Sequence, residues 1–213
     1  MNNKIEQPRI PEPELLLPQQ IHSLASKDEF SRCLISGALI EYQDAARVSF
    51  DKVIFKNVTI TESSLHGIEL TDVIFDHCDL SNVDFSEAFM HRTEFRDCRL
   101  IGTDFTRARF QNVSVTGCIG EFAVFRFANF KAASFERSSL ISADYYQSAL
   151  NGLYFSECNL DQATLAGCKL KDIDLSDCEF TGLVVDLQDL DGCVISAEQA
   201  ASFAGLLGLV IKY

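Results

Sequence analysis

The sequence predicts an all-β repeat solenoid, and two regularities carry that prediction. Every position divisible by five from Phe30 to Leu190, here called a centre, is large and apolar except Ala45 and Gly120. The residue two places before a centre is small or slim, as at Cys78. A period of five matches neither the 3.6-residue repeat of a helix nor the two-residue repeat of a flat strand. It therefore indicates stacked repeat units.

Each five-residue unit divides into an inward pair and three outward residues. The centre and the small residue before it are expected inside, and the other three are expected to face water. The segment 79–83, Asp-Leu-Ser-Asn-Val, shows this division. One unit alone buries almost nothing, but stacked units form a core because each large residue lies on the one from the turn below.

The cysteines set the length of one turn. All eight occupy the small inward position, and several are separated by multiples of twenty residues. A turn of four pentapeptides places each such series in one column, and it favours buried free thiols over disulfides or metal ligands. The series is Cys78, Cys98, Cys118, Cys158 and Cys178.

This pattern resembles the pentapeptide repeat family, whose motif is written loosely as Ala-Asp/Asn-Leu-X-X. The resemblance covers about three quarters of the chain and implies a right-handed, four-sided β-helix. We therefore divide the chain into a Pro-rich leader at 1–22, the β-helix at 23–195 and a C-terminal module at 196–213. The leader holds all four prolines and is expected to be extended and to cover part of the first turn.

The C-terminal module begins with a helix signal. Ser196 is expected to cap the helix with Gln199 at the third position, and the helix should continue from Ala200 to Leu207 before a short strand at 209–211. Its apolar side chains must cap the last turn, join a second subunit, or both. The residues expected at a dimer contact are Phe203, Leu206, Leu207, Leu209 and Ile211.

Composition limits the function classes. The net charge of −13 disfavours nucleic acid and anionic membranes as partners, and the N-terminus lacks the apolar run of a signal peptide. No apolar stretch approaches a membrane span, so we expect a cytoplasmic protein. No Cys-x-x-Cys pair, phosphate loop or nucleophile elbow occurs, and His66, His77 and His91 fall on three different faces. We expect no enzyme activity, no metal and no cofactor.

The outward charge is unequal among the four faces. Face 1 is centred on 30, 50, 70 and every twentieth residue after them; faces 2, 3 and 4 begin at centres 35, 40 and 45. Over the centres 30 to 185 the net outward charges are +2, −4, −5 and −3 for faces 1 to 4. Eight turns make a rod of about 38 Å at ~4.8 Å per turn, a length over which duplex DNA carries roughly 22 charges. The rod can imitate one side of a duplex without its full charge density.

Large apolar residues also occupy outward positions around Gly120. Either the turn is locally distorted and tucks them in, or they form a contact patch for a partner. They are Ile101, Ile119, Phe122 and Ile141 on face 3 and Phe127 on face 4.

Two segments indicate which group within the pentapeptide repeat family this chain resembles. Residues 123–130 and the ending at 195–211 are similar to the mid-rod segment and the C-terminal module of Qnr proteins, in particular the chromosomal type of Gram-positive bacteria. That group implies a homodimeric rod that mimics DNA and protects DNA gyrase and topoisomerase IV from fluoroquinolones. An interaction scaffold for another partner, or an immunity factor against a gyrase-targeting toxin, remain as alternatives. The carboxylates expected to contact the topoisomerase are Asp79, Asp84, Glu87, Asp104, Glu121, Asp144 and Asp161.

One difference from the Qnr proteins of Gram-negative bacteria is visible in the register. Those proteins carry loops that project from the rod and contribute to protection. Here the five-residue register continues unbroken, which excludes a loop whose length is not a multiple of five.

Overall fold

The chain forms a parallel β-solenoid. The structure is a computed structural model that describes residues 5–12, 15–204, 206 and 208–210. A 3₁₀ turn at Leu187–Leu190 and one helix, α1 (Ala200–Ala204), follow the strands. The strands are β1 (Leu17–Pro18), β2 (Glu29–Ser31), β3 (Cys33–Ser36), β4 (Leu39–Glu41), β5 (Ser49–Lys56), β6 (Thr59–Thr61), β7 (Glu69–Asp76), β8 (Phe89–Arg96), β9 (Arg109–Thr116), β10 (Asn129–Glu136) and β11 (Ala149–Ser156).

The strands stack with the predicted step of twenty residues. The main sheet has nine strands in the order β1-β3-β5-β7-β8-β9-β10-β11, with β2 paired to β5, and every pair is parallel. Each eight-residue strand crosses faces 1 and 2, so that Phe55 lies over Phe75 and Phe75 over Phe95. On face 3 the first turns are joined by the pairing of β4 with β6. Elsewhere on faces 3 and 4 successive turns are joined by single bridges such as Asp84↔Asp104. The predicted all-β solenoid and its four pentapeptides per turn are confirmed.

The chain turns each corner through one left-handed residue. From Lys27 to Asp172, every residue two places after a centre has a positive φ, whether or not it is glycine. This conformation costs an L-residue about 1–2 kcal/mol. Hydrogen bonds between turns offset that cost, because most of these residues donate their N–H to the turn above, as Asn57 N does to Asp76 O at 2.9 Å.

The centres form a core of stacked rings. The centroids of Phe55 and Phe75 are 4.6 Å apart, and those of Phe125 and Tyr145 are also 4.6 Å apart. All eight cysteines are free thiols, and seven of them are buried. Burial raises the pKa of Cys168 to about 11, so this thiol stays protonated at neutral pH and acts as a small apolar residue.

The leader takes a course that is only partly the expected one. At the first turn the leader lies as expected, with Ile21 buried and Leu17 paired with Cys33. Residues 5–9 instead run along the corner between faces 1 and 2, two to four turns above the first turn. Arg9 N donates to Asp72 Oδ1 at 2.9 Å, and Glu6 N donates to Asn112 Oδ1 at 3.2 Å.

This course corrects the expectation that all outward residues face water. Asp72 is only 2% exposed, and Glu94 is 7% exposed. Asp72 also accepts bonds from Arg92 Nε at 2.5 Å and Arg92 Nη2 at 2.9 Å. Burial alone would raise the pKa of Asp72, but the hydrogen bonds from Arg92 and from the Arg9 N–H outweigh it and lower that pKa.

The C-terminal cap forms as predicted, but the helix is shorter. Ser196 N donates to Gln199 Oε1 at 2.8 Å, and Gln199 N donates to Ser196 Oγ at 3.3 Å, which makes a reciprocal capping box. The helix ends at Ala204 rather than at Leu207, which lies outside the described residues. Leu209 N donates to Ala204 O at 3.1 Å and folds the chain back on the helix end.

The predicted terminal strand is wrong for the part that the structure describes. Leu209 and Val210 lie in no strand, while Ile211 lies outside the described residues. Gly208, at a φ of +71°, turns the chain before an extended segment can form.

Candidate protein-interaction surface

Four of the seven predicted acids share one structural position. Each occupies the place before a centre, is half-buried, and accepts a hydrogen bond from the backbone N–H two residues later. Ser81 N donates to Asp79 at 3.0 Å, and Ser86 N donates to Asp84 at 2.8 Å. These carboxylates therefore stabilise turns as well as carrying charge. The four are Asp79, Asp84, Asp104 and Asp144.

The other three acids have different surroundings. Glu87 is exposed and lies 3.6 Å from His66 Nε2. Glu121 is half-buried and accepts a bond from Ser139 Oγ at 3.2 Å. Asp161 accepts bonds from Thr181 Oγ1 at 2.7 Å and from Thr181 N at 2.9 Å, and these bonds lower its pKa. Asp161 is thus largely occupied in joining two turns.

Arginines pair with two of the seven acids, Asp79 and Asp144. Arg99 Nε lies 3.5 Å from Asp79, and Arg126 Nε lies 2.6 Å from Asp144. Between them, Asp84, Glu87, Asp104 and Glu121 form no ion pair with a described lysine or arginine. Burial would raise the pKa of Asp84, but hydrogen bonds from Ser86 and Ser64 outweigh it and lower that pKa. We call these four acids the central acidic cluster.

Three of the five apolar residues around Gly120 are exposed, namely Ile119, Phe122 and Phe127, and the turn is regular. Gly120 N donates to Ser139 O at 2.7 Å, as the centres of neighbouring turns do. The side chain of Leu140 fills the space beside the glycine, with Cδ2 3.2 Å from where a Cβ would lie. The distorted-turn explanation is therefore excluded. Phe122 is 59% exposed and Phe127 is 44% exposed, each in the left-handed corner conformation.

The patch includes one aromatic residue that sequence reasoning missed. Tyr146 is exposed, and its ring lies edge-on to Phe127 with centroids 5.9 Å apart. The guanidinium of Arg107 lies 5.7 Å above the Phe127 ring. Ile119 is exposed, whereas Ile101 and Ile141 are half-buried. Tyr146 lies one turn above Arg126, in a column of outward positions that shows no repeated large apolar residue. The sequence pattern therefore gives no signal for it, and Tyr146 joins the patch only because successive turns stack.

The three predicted dimer residues that the structure describes divide into two groups. Phe203 is half-buried against Phe180, with ring centroids 5.7 Å apart, so it caps the last turn. Leu206 and Leu209 remain exposed. Leu207 and Ile211 lie outside the described residues.

Neither a metal centre nor a membrane helix occurs in the described residues. No group of three or more His, Cys, Asp or Glu side chains there is arranged to hold a metal ion. No helix in that part of the chain is both long and apolar enough to span a membrane.

Comparisons with known proteins place this solenoid in a family. The model of the pentapeptide repeat region matches residues 48–125, 68–144 and 88–165. An uncharacterized protein of Bacillus subtilis (strain 168), YisX, is 37% identical over 213 residues, which cover 97% of each chain. A trypsin-treated variant of QnrB1, described as a plasmid-mediated fluoroquinolone resistance protein, has the same fold with a TM-score of 0.50. It is 18% identical, covering 93% of this chain and 100% of its own. The chain therefore belongs to the pentapeptide repeat family.

Proposed function

We propose that this protein is a cytoplasmic, homodimeric DNA mimic that binds the type II topoisomerases DNA gyrase and topoisomerase IV and protects them from quinolones. The proposal is carried by the observation that two surface features lie together on faces 3 and 4. They are the central acidic cluster and the aromatic patch formed by the exposed rings of Phe122, Phe127 and Tyr146. Residues 5–9 of the leader lie against the opposite corner and leave both features uncovered.

The arrangement suits a basic, DNA-binding groove. The two bridged carboxylates Asp84 and Asp104 lie on successive turns, which are about 4.8 Å apart. Such a ladder presents negative charge in a line along the rod, as a phosphate backbone does. Charge complementarity of this kind favours association but weakens with salt. Phe122 and Phe127 add apolar contacts that charge alone lacks, since interface affinity concentrates in buried aromatic residues.

The fold shared with a protein described as a fluoroquinolone resistance protein supports the proposed protection from quinolones. The fold match to QnrB1 covers nearly the whole chain, and the ending at 195–211 is similar to the C-terminal module of Qnr proteins. In the dimer, Leu206 and Leu209 would supply exposed apolar contacts at the end of the rod, and two joined rods double the length of the acidic surface.

A gyrase supercoiling assay with and without a quinolone tests the proposal. The wild type should restore supercoiling in the presence of the drug. The double charge reversal Glu87→Lys and Glu121→Lys should abolish this protection, because it changes the acidic surface without removing a turn-stabilising aspartate. Glu29→Lys with Glu69→Lys is the matched control, since it makes the same change at exposed positions of face 1. Equal behaviour of the two double variants would refute the mimicry.

The aromatic patch has its own variant. Phe122→Asn together with Phe127→Asn removes both rings but keeps a residue that tolerates the left-handed conformation. We expect an intact fold by circular dichroism and binding to gyrase weakened at least tenfold, a contribution typical of a central aromatic anchor. Wild-type protein that does not bind gyrase would instead favour the scaffold function. Binding without protection from a quinolone would favour the immunity function.

A further inference from the structure

Exposed apolar residues occur at a second place on face 3, four turns below the patch around Gly120. Leu39 is 62% exposed and Tyr42 is 77% exposed. They precede Ile119 and Phe122 by eighty residues, which is four turns of twenty, so each lies in the same column as its counterpart. We call Leu39 and Tyr42 the lower apolar pair, and Ile119 and Phe122 the upper apolar pair.

The rod fixes the distance between the two pairs. Leu39 pairs with Thr59 where β4 lies against β6, and single bridges continue this column through Asp79 and Arg99 to Ile119. Four bridged steps of ~4.8 Å separate the pairs by about 19 Å. Because every step of the column is bridged, the two pairs are held at a constant spacing.

Packing within the rod explains neither aromatic residue. Tyr42 and Phe122 have φ angles of 54° and 58°, the left-handed conformation that bulky side chains disfavour. Between them, the same corner column holds polar residues or glycine, namely Glu62, Asn82 and Gly102. Burial does not compensate for this cost, because both rings are more than half exposed. An exposed aromatic residue at such a corner therefore points to a contact outside the rod.

The surface between the two pairs is acidic. The outward positions of face 3 from 41 to 121, all of which the structure describes, carry Glu41, Glu62, Asp79 and Glu121. Their one cation, Arg99, lies 3.5 Å from Asp79. Glu41 and Glu62 are exposed, and neither forms an ion pair with a described lysine or arginine. The two apolar pairs therefore flank an acidic strip that adjoins the central acidic cluster.

We infer that the lower apolar pair is a second anchor of the surface that binds the topoisomerase. The partner surface would then be a basic strip flanked by two apolar pockets about 19 Å apart, the length of four turns. This inference rests on the proposed function, and it extends the contact from the patch around Gly120 almost to the first turn. Charge complementarity aligns the acidic strip with the basic one, and Tyr42 and Phe122 each fill a pocket. A rigid rod that presents both anchors at a fixed spacing loses little conformational freedom on binding.

Binding of purified gyrase to variants of the full-length protein tests this inference. Leu39→Asn with Tyr42→Asn should weaken binding at least tenfold, and so should Ile119→Asn with Phe122→Asn. Asparagine tolerates the left-handed corner, so the fold should be retained. The two pairs are too far apart to contact each other, and the losses should therefore multiply to at least a hundredfold when all four substitutions are combined.

The matched control removes exposed apolar side chains elsewhere on the rod. Leu17→Asn with Val194→Asn makes the same kind of change on the face 2 side, where Leu17 pairs with Cys33 and Val194 is bridged to Asp174. This variant should bind gyrase within threefold of the wild type. Each variant should also sediment with the wild-type mass, because neither apolar pair is assigned to the dimer contact.

Hydroxyl-radical footprinting of the wild type supplies an independent readout. Labelling of Tyr42 should fall in the complex with gyrase, while labelling of Leu17 stays unchanged. If the wild type does not bind gyrase, the proposed function fails and this inference fails with it. If the wild type binds, three results overturn the inference alone: the lower-pair variant loses no more affinity than the control, Tyr42 stays fully labelled in the complex, or the lower-pair variant changes its sedimentation mass, which would assign this pair to a second copy of the chain.

Discussion

Phe95→Ala is the substitution that most directly tests the inward assignment of the centres. The Phe95 ring is 1% exposed and stacks on Phe75 at 5.0 Å between centroids, with Phe105 edge-on at 6.4 Å. Burying a phenylalanine removes roughly 150–250 Å² from water, worth about 4–6 kcal/mol at ~25 cal/mol per Å². Two aromatic contacts add about 0.5–1.5 kcal/mol each, and the alanine retains part of the burial. We expect a loss of about 3–5 kcal/mol, the usual range for such a cavity.

The same strand supplies the control. Phe89 lies on β8 with Phe95, but it occupies an outward position and is half-buried beneath the guanidinium of Arg109, 5.3 Å from its ring. Phe89→Ala should therefore cost about 1 kcal/mol or less, the scale of a surface contact. Urea unfolding followed by circular dichroism measures both variants, with the slope checked for constancy. A cost below about 1 kcal/mol for Phe95→Ala, or equal costs for both, would contradict the inward assignment.

The remaining predictions concern assembly, the leader and pH. Removal of 196–213 should convert a dimer to a monomer or an aggregate, because it strips the cap from the last turn; full-length protein that sediments as a monomer at micromolar concentration would refute the dimer. Asp72→Asn should cost about 3 kcal/mol, since it leaves the half-buried Arg92 without its anionic partner, and should release the leader to tryptic cleavage at Arg9; an unchanged cleavage rate would contradict this contact. Because the pKa of Asp72 is lowered in the folded protein, its contribution is complete above the unfolded value of about 4 and is lost as pH falls below that value. Denaturant midpoints measured from pH 7 to pH 3 should therefore converge for wild type and Asp72→Asn in acid; a constant difference would refute the linkage.

The leader shows where sequence reasoning fails. Its two fixed points are single hydrogen bonds from backbone N–H groups to Asp72 and Asn112, across 63 and 106 residues of chain. Neither residue differs in kind from the other polar residues at the corner position. A backbone donor carries no sequence signal, so nothing in the pattern could have indicated that these two corners are covered.

The candidate surface was predictable in location but not in chemistry. The position of Asp84 and Asp104 on face 4 follows from their place in the register, because stacking repeats every twenty residues. Their role in holding turns does not, since it depends on the direction in which each carboxylate points. The exposure of Phe122 could not be predicted either, because it depends on the left-handed conformation of that residue and on the regular turn at Gly120.

The sequence by itself determined the solenoid, the twenty-residue turn and the inward columns, because a repeated local pattern has only one way to bury its large residues when turns stack. The tertiary structure alone decided where stacking fails. Leu170, Ile173 and Leu175 keep the five-residue pattern as faithfully as any other turn, yet no backbone hydrogen bond joins residues 167–178 to residues 148–157 one turn below. Inward burial is satisfied there, and what is missing is a set of backbone bonds between turns. The five-residue pattern indicates which side chains are buried. The distance between the backbones of successive turns depends on the packing of all four faces together, so no single repeat predicts it.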